Sequence, residues 1–155
     1  MRILESPEIL KMQFAFDKAK EQANLSPCQK SKRGAVIFTS NMILAVGNNA
    51  PPDPLVCNPE ICRAICARYT VHAEQNAILN ALRDKQHLLG ATVFHIKVSS
   101  DGLAVSSNDL SCIECSRLVL REKIKEFILF QDAGYVAYPA LEFHQRTLDY
   151  IRNNP

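Results

Sequence analysis

Apolar and polar positions recur with two different periods along this chain, and the switches between them mark out its elements. Ser6-Pro7-Glu8 opens a helix, with Ser6 as the expected cap and Pro7 at the first helical position. Ile9, Leu10, Met12, Phe14, Phe16 and Ala19 follow, mixed with Lys11, Gln13, Asp17, Lys18 and Lys20. This broad helical stripe ends over Asn24 to Pro27. Gly34-Ala35-Val36-Ile37-Phe38 and Met42-Ile43-Leu44-Ala45-Val46 are apolar runs of strand length, and Ser40-Asn41 between them predicts a hairpin.

From Gly47 to Pro59 the chain turns to Asn, Pro and Asp, which predicts a loop. Cys62 and Cys66 stand at i and i+4, consistent with a short helix between Glu60 and Tyr69. A longer helix is predicted from His72 to Asp84, with Ala77, Ile78 and Leu82 on a shared side. Gly90 to Ile96 reads as a third strand and Lys97 to Leu110 as a long polar loop. Then come a helix from Cys112 to Lys123, a fourth strand from Ile124 to Phe130, a short strand at Tyr135 to Tyr138, and a terminal helix from Ala140 to Arg152. Strands separated by single helices predict parallel crossovers on a mixed sheet of about five strands covered on both faces. The fold class is therefore α/β, in three α/β/α layers. Without a repeat, linker or low-complexity stretch, residues 1–155 read as a single domain.

Composition narrows the function classes. Hydrophobic residues make up 47% and charged residues 22%, which is globular and not disordered. A net charge of +2 gives no support for a nucleic-acid or membrane partner. No apolar run is long enough to span a bilayer, and Met1 to Pro7 lacks the apolar core of a signal peptide. The expected location is the cytoplasm, where six cysteines read as thiols and metal ligands instead of disulfides.

Two motifs carry chemistry. Val71-His72-Ala73-Glu74-Gln75-Asn76-Ala77-Ile78 sets an imidazole two residues before a carboxylate at a predicted helix start. Ser111-Cys112-Ile113-Glu114-Cys115 places two thiols at metal-ligand spacing at another. Helix N-termini favour negative charge, which lowers thiol pKa and helps hold two thiolates on one ion. His72, Cys112 and Cys115 thus suit Zn²⁺, and three protein ligands leave a fourth position for water. Glu74 points away from the ligand direction and is free to carry protons.

A His-x-Glu followed by Cys-x-x-Cys resembles the zinc-dependent cytidine and deoxycytidylate deaminases. Lys32-Arg33-Gly34-Ala35-Val36-Ile37 is similar to the family's first-strand region, Gly47-Asn48-Asn49-Ala50-Pro51 to its Gly-x-Asn loop, and His72 to Leu79 to its central helix. The resemblance covers most of residues 6 to 130. It implies the cytidine-deaminase-like fold and hydrolytic deamination of a cytosine-type nucleotide or nucleoside, deoxycytidylate first, with Glu74 as the catalytic acid and base. It also implies that Asn49 contacts the sugar and backbone near Ala73 holds the base, and that the protein is a homo-oligomer. Some relatives carry a second, structural zinc, for which Cys28, Cys57, Cys62 and Cys66 are candidates; as free cysteines they would pack as small hydrophobes.

Two departures stand out. Ser111 replaces the family's usual proline, and Ser111-Cys112-Ile113-Glu114 fits a capping box with Ser111 as cap. Lys97 to Leu110 resembles an insertion that would enter the site from its edge. Asn49 is also readable as a turn residue, with Asn48 the alternative contact. Lys30, Lys32 and Arg33 fit either a substrate phosphate or a solvated turn. His95 reads as a satisfied interior histidine, and His87 and His144 as surface or packing residues. The rival functions are a deaminase acting on another base, on tRNA or on single-stranded nucleic acid, and a non-catalytic zinc module.

Overall fold

The computed structural model describes residues 1–61, 65 and 69–153. The elements in chain order are β1 (Arg2–Ile3), α1 (Ser6–Leu25), β2 (Lys32–Phe38), β3 (Ile43–Asn48), α2 (Ala73–Arg83), β4 (Thr92–Val98), β5 (Ala104–Val105), α3 (Ile113–Arg121), β6 (Glu126–Gln131), β7 (Gly134–Pro139) and α4 (Ala140–Asn153). Their strands form one mixed sheet in the order β1-β7-β6-β4-β2-β3, with β5 paired to β4. The expected hairpin of β2 with β3 is present, and β6 forms a further one with β7. β4 and β6 run parallel, joined across α3. β3 and β4, joined across α2, also share a direction because each is antiparallel to the β2 strand between them.

Side-chain alternation divides the core. Val36, Phe38, Phe94, Ile96 and Ile128 face α1 and pack on Phe16, Ala19 and Ala23. Ala35, Ile37, Val93, Phe127 and Leu129 face the other way and meet Ala77 and Ile78 of α2, Val119 of α3 and Phe143 of α4. α1 therefore covers one face and α2, α3 and α4 cover the other, the three-layer arrangement expected. Among the described residues no helix is long and apolar enough to cross a membrane.

Local details depart from the expectations. Glu5, not Ser6, caps α1: its backbone is extended, and Glu5 and Glu8 close a reciprocal capping box. Ser6 and Pro7 then fall in the first turn, where a missing N–H costs nothing. Two short strands went unseen, β1 and β5, since two residues carry no periodicity. β5 lies within the stretch expected to be loop, and β4 runs on to Val98.

One close approach sets the position of α2. Ala73, Ala77 and Ala81 recur at four-residue spacing on the buried side of α2. Gly47 of β3 lies against them so tightly that an added Cβ would sit 2.4 Å from the Ala77 nitrogen and 2.5 Å from the Ala73 oxygen. Asn76 and Asn80 of α2 then donate to the Asn48 and Val46 carbonyls at 2.7 and 2.9 Å, pinning the helix along the edge strand. Gly47→Ala should cost stability at the upper end of the roughly 1–3 kcal/mol seen for overpacking, because backbone must move and no flexible side chain can yield. A melting temperature within a degree of the parent would show that the approach is not needed.

Candidate active site

The two motifs meet at neighbouring helix N-termini. His72 is the extended N-cap of α2, its N–H donating to Gln75 Oε1 at 3.0 Å. Cys112 is the extended N-cap of α3, its sulfur accepting from the Cys115 N–H at 3.4 Å. His72 Nδ1 lies 3.1 Å from Cys112 Sγ and 3.3 Å from Cys115 Sγ, and the two sulfurs are 3.2 Å apart. Three soft donors so crowded form the metal-capable cluster of the described residues. The separations are a little shorter than the roughly 3.5 Å that zinc–sulfur and zinc–nitrogen bond lengths set for tetrahedral neighbours, so a small outward adjustment accommodates the ion.

The cluster's protonation follows from its crowding. Cys112 is lowered to about 6 by the hydrogen bond from the Cys115 thiol first, against burial, with His72 adding to it. Cys115, which gives that hydrogen bond, is pushed well above the usual thiol range by it and by burial. His72 is raised, mainly by its hydrogen bond with Cys112. A second thiolate thus requires a cation to replace the shared proton, which is what metal binding supplies.

Ser111 does not cap α3. Cys112 takes that place with its own sulfur, which turns the thiol onto the helix N-terminus, and the Ser111 hydroxyl instead donates to Glu74 Oε1 at 2.5 Å. Glu74 is only 3% exposed. Burial alone would raise its carboxyl pKa, but His95, the Ser111 hydroxyl and backbone N–H outweigh it and hold the group below the ordinary range. Glu74 is therefore a buried carboxylate, oriented at Oε1 by Ser111.

His72, Glu74, Ser111 and Cys112 line a cavity of about 340 Å³. Ala73 and Asn49 line it too. The Asn49 side chain is mostly engaged within the protein: Oδ1 accepts from the Arg33 N–H at 2.7 Å and Ser26 Oγ at 2.8 Å, and Nδ2 donates to the Ser31 carbonyl at 2.8 Å. One amide hydrogen is left for a ligand. Lys30 and Arg33 reach the cavity, whereas Lys32 turns to the Asn24 carbonyl. Asp109 and Leu110, at the end of the inserted segment, form part of the wall. The segment is tied down by Ser106 and Asn108, which donate to Asp132 at 2.5 and 2.7 Å.

Among the remaining cysteines, Cys28 is buried in the cavity wall and Cys57 is half-buried. Cys62 and Cys66 lie outside the described residues. His144 packs with its Nδ1 3.0 Å from Ser116 Oγ, and His87 is exposed. His95 is an interior histidine. It is buried but lines the cavity, and no hydrogen bond from the described residues reaches its ring. Burial lowers its pKa despite the pull of Glu74. A histidine breaking the apolar face between Val93 and the helices above it was the available signal.

A mixed sheet under helices whose N-termini bring together His, Cys and Cys beside a buried glutamate defines a metal-site domain with hydrolytic chemistry available. The sequence pattern of the family described as the cytidine and deoxycytidylate deaminase zinc-binding region matches residues 10–131, and the chain belongs to that family. Solved structures share the fold. A dCMP deaminase from cyanophage S-TIM5 in apo form is 22% identical over 79% of this chain and 82% of its own, with a TM-score of 0.60. The same phage enzyme in complex with dCMP and dUMP gives 22% identity over 80% and 82%, with a TM-score of 0.57. Cytidine deaminase from Mycobacterium leprae is 13% identical over 81% and 91%, with a TM-score of 0.50. No curated protein matches the sequence.

Proposed function

We propose that this chain is a zinc-dependent hydrolytic deaminase of a cytosine-type nucleotide, deoxycytidylate being the preferred substrate. The observation that carries this reading is Glu74: a buried carboxylate, held by Ser111, in one cavity with His72 and Cys112, against which Cys115 packs. His72, Cys112 and Cys115 would hold the zinc, which when bound acidifies a water and so supplies a nucleophile near neutral pH. The Glu74 carboxylate accepts a proton from that water and delivers it to the ring nitrogen. Glu74 then passes the second proton to the exocyclic amine, which leaves as ammonia, and the ring keeps the water oxygen as a carbonyl.

Backbone at Ala73, in the first turn of α2, has N–H groups without helical partners and suits an acceptor on the base. The remaining Asn49 amide hydrogen suits the sugar. Lys30 and Arg33 supply positive charge in the same cavity, which favours a phosphate-bearing substrate over its nucleoside. The expected homo-oligomer belongs to this reading as well.

Ammonia release from cytosine, deoxycytidine, dCMP, CMP and a dC-containing single strand tests the proposal on zinc-loaded protein. The expected result is highest kcat/KM with dCMP and stoichiometric dUMP. Arg33→Gln should shrink the preference for dCMP over deoxycytidine by about tenfold or more, the range of one charge-assisted hydrogen bond. Release only from the single strand would move the enzyme to the nucleic-acid editing class. No release from any of them would leave a zinc-binding module.

A further inference from the structure

We propose that His95 determines substrate specificity, its imidazole N–H donating to the ring carbonyl oxygen of the pyrimidine in the cavity. This rests on the deaminase reading above. β4 is the middle strand of the sheet, and His95 pairs with Ala35 of β2 and Leu129 of β6. Both neighbours belong to the apolar core on the α2 face, as does Val93 two residues earlier. An aliphatic side chain would continue that row without interruption. The chain instead places there an imidazole, 7% exposed, among the residues that line the cavity with Glu74 and His72.

The ring has no hydrogen-bond partner among the described residues, whereas Asn49 and Glu74 in the same wall are held by specific ones. No buried side-chain nitrogen or oxygen of the described residues lacks a partner, so the His95 ring nitrogens open onto the cavity. Here the unpaired group borders open volume, so its partner can be a ligand. Uncharged imidazole offers one donor and one acceptor. On a cytosine ring Glu74 addresses the ring nitrogen and the amine, which leaves the carbonyl oxygen as the strong acceptor still unassigned to a side chain. That oxygen has two lone pairs, so an N–H from α2 and one from His95 can both be accommodated. Sites built around a buried hydrogen bond reject analogues that lack it, because the protein group is then left unpaired.

The test uses zinc-loaded wild type, His95→Leu and His95→Gln with dCMP and 2-thio-dCMP, whose sulfur is a poor acceptor. The wild type should favour dCMP at least tenfold in kcat/KM. In His95→Leu that ratio should fall to within about threefold while kcat/KM for dCMP drops about 10- to 100-fold, and His95→Gln should recover most of both. Zinc content should not change. An unchanged dCMP to 2-thio-dCMP ratio overturns the proposal. A wild type inactive on both nucleotides removes the deaminase reading and this inference together. An active wild type with an indifferent His95→Leu removes this inference alone.

Discussion

Replacing Glu74 with glutamine is expected to abolish nearly all turnover while leaving zinc and fold in place. The change keeps the length of the side chain, and the amide oxygen can still accept from Ser111. The amide cannot take a proton from water or return one to the ring or the amine. One acid–base group typically contributes about 10²–10⁴ in rate, and Glu74 serves several transfers, so the loss belongs at or beyond the upper end. Single-turnover kinetics beside elemental analysis would measure both arms. Turnover above about a tenth of wild type, under roughly 1.4 kcal/mol of barrier, is incompatible with the mechanism. Loss of zinc would instead make Glu74 a ligand.

The same substitution has a pH signature. Glu74 is lowered in the folded protein, so it contributes stability above the unfolded carboxyl value of about 4.3 and loses that contribution as pH falls through the folded value. Wild-type stability should therefore decline in acid more steeply than that of Glu74→Gln.

Cys112→Ala is expected to lose metal, activity and stability together. It removes one of three ligands and also the sulfur that accepts from the Cys115 N–H at the start of α3. Loss of an N-cap alone costs about 0.5–2 kcal/mol. Losing an ion present at a hundred times its dissociation constant costs a further 2.7 kcal/mol or so. Zinc should drop from near one equivalent per chain to a small fraction, and the melting temperature of the purified protein should fall with it. Retention of a full equivalent in Cys112→Ala would show that the His–Cys–Cys triangle does not hold the metal. Added chelator should lower the wild-type melting temperature toward that of the variant.

Much of the site was legible because its parts are local. His72 and Glu74 share one helix start, and Cys112 and Cys115 share one turn, so spacing alone places each pair. The alternation of Val36, Phe38, Phe94 and Ile96 against Ala35, Ile37 and Val93 likewise marked the strands and both of their buried faces. Capping was less legible. Ser6 and Ser111 both look like caps, yet Glu5 and Cys112 take those places, since a cap is chosen by where the chain enters the helix and not by residue type alone.

The sequence by itself singled out the candidate metal donors and the candidate catalytic carboxylate, and it determined the α/β order of elements and the family. Each follows from residue types within a few positions of one another, or from a periodicity that any burial must respect. Only the tertiary structure decided that Ser111 orients Glu74, that Asn49 spends most of its hydrogen bonds on Ser26, Ser31 and Arg33, and that His95 stands in the cavity wall. These depend on contacts between segments far apart in the chain. Sheet register and the Gly47 approach of α2 set those contacts, and no local spacing encodes either.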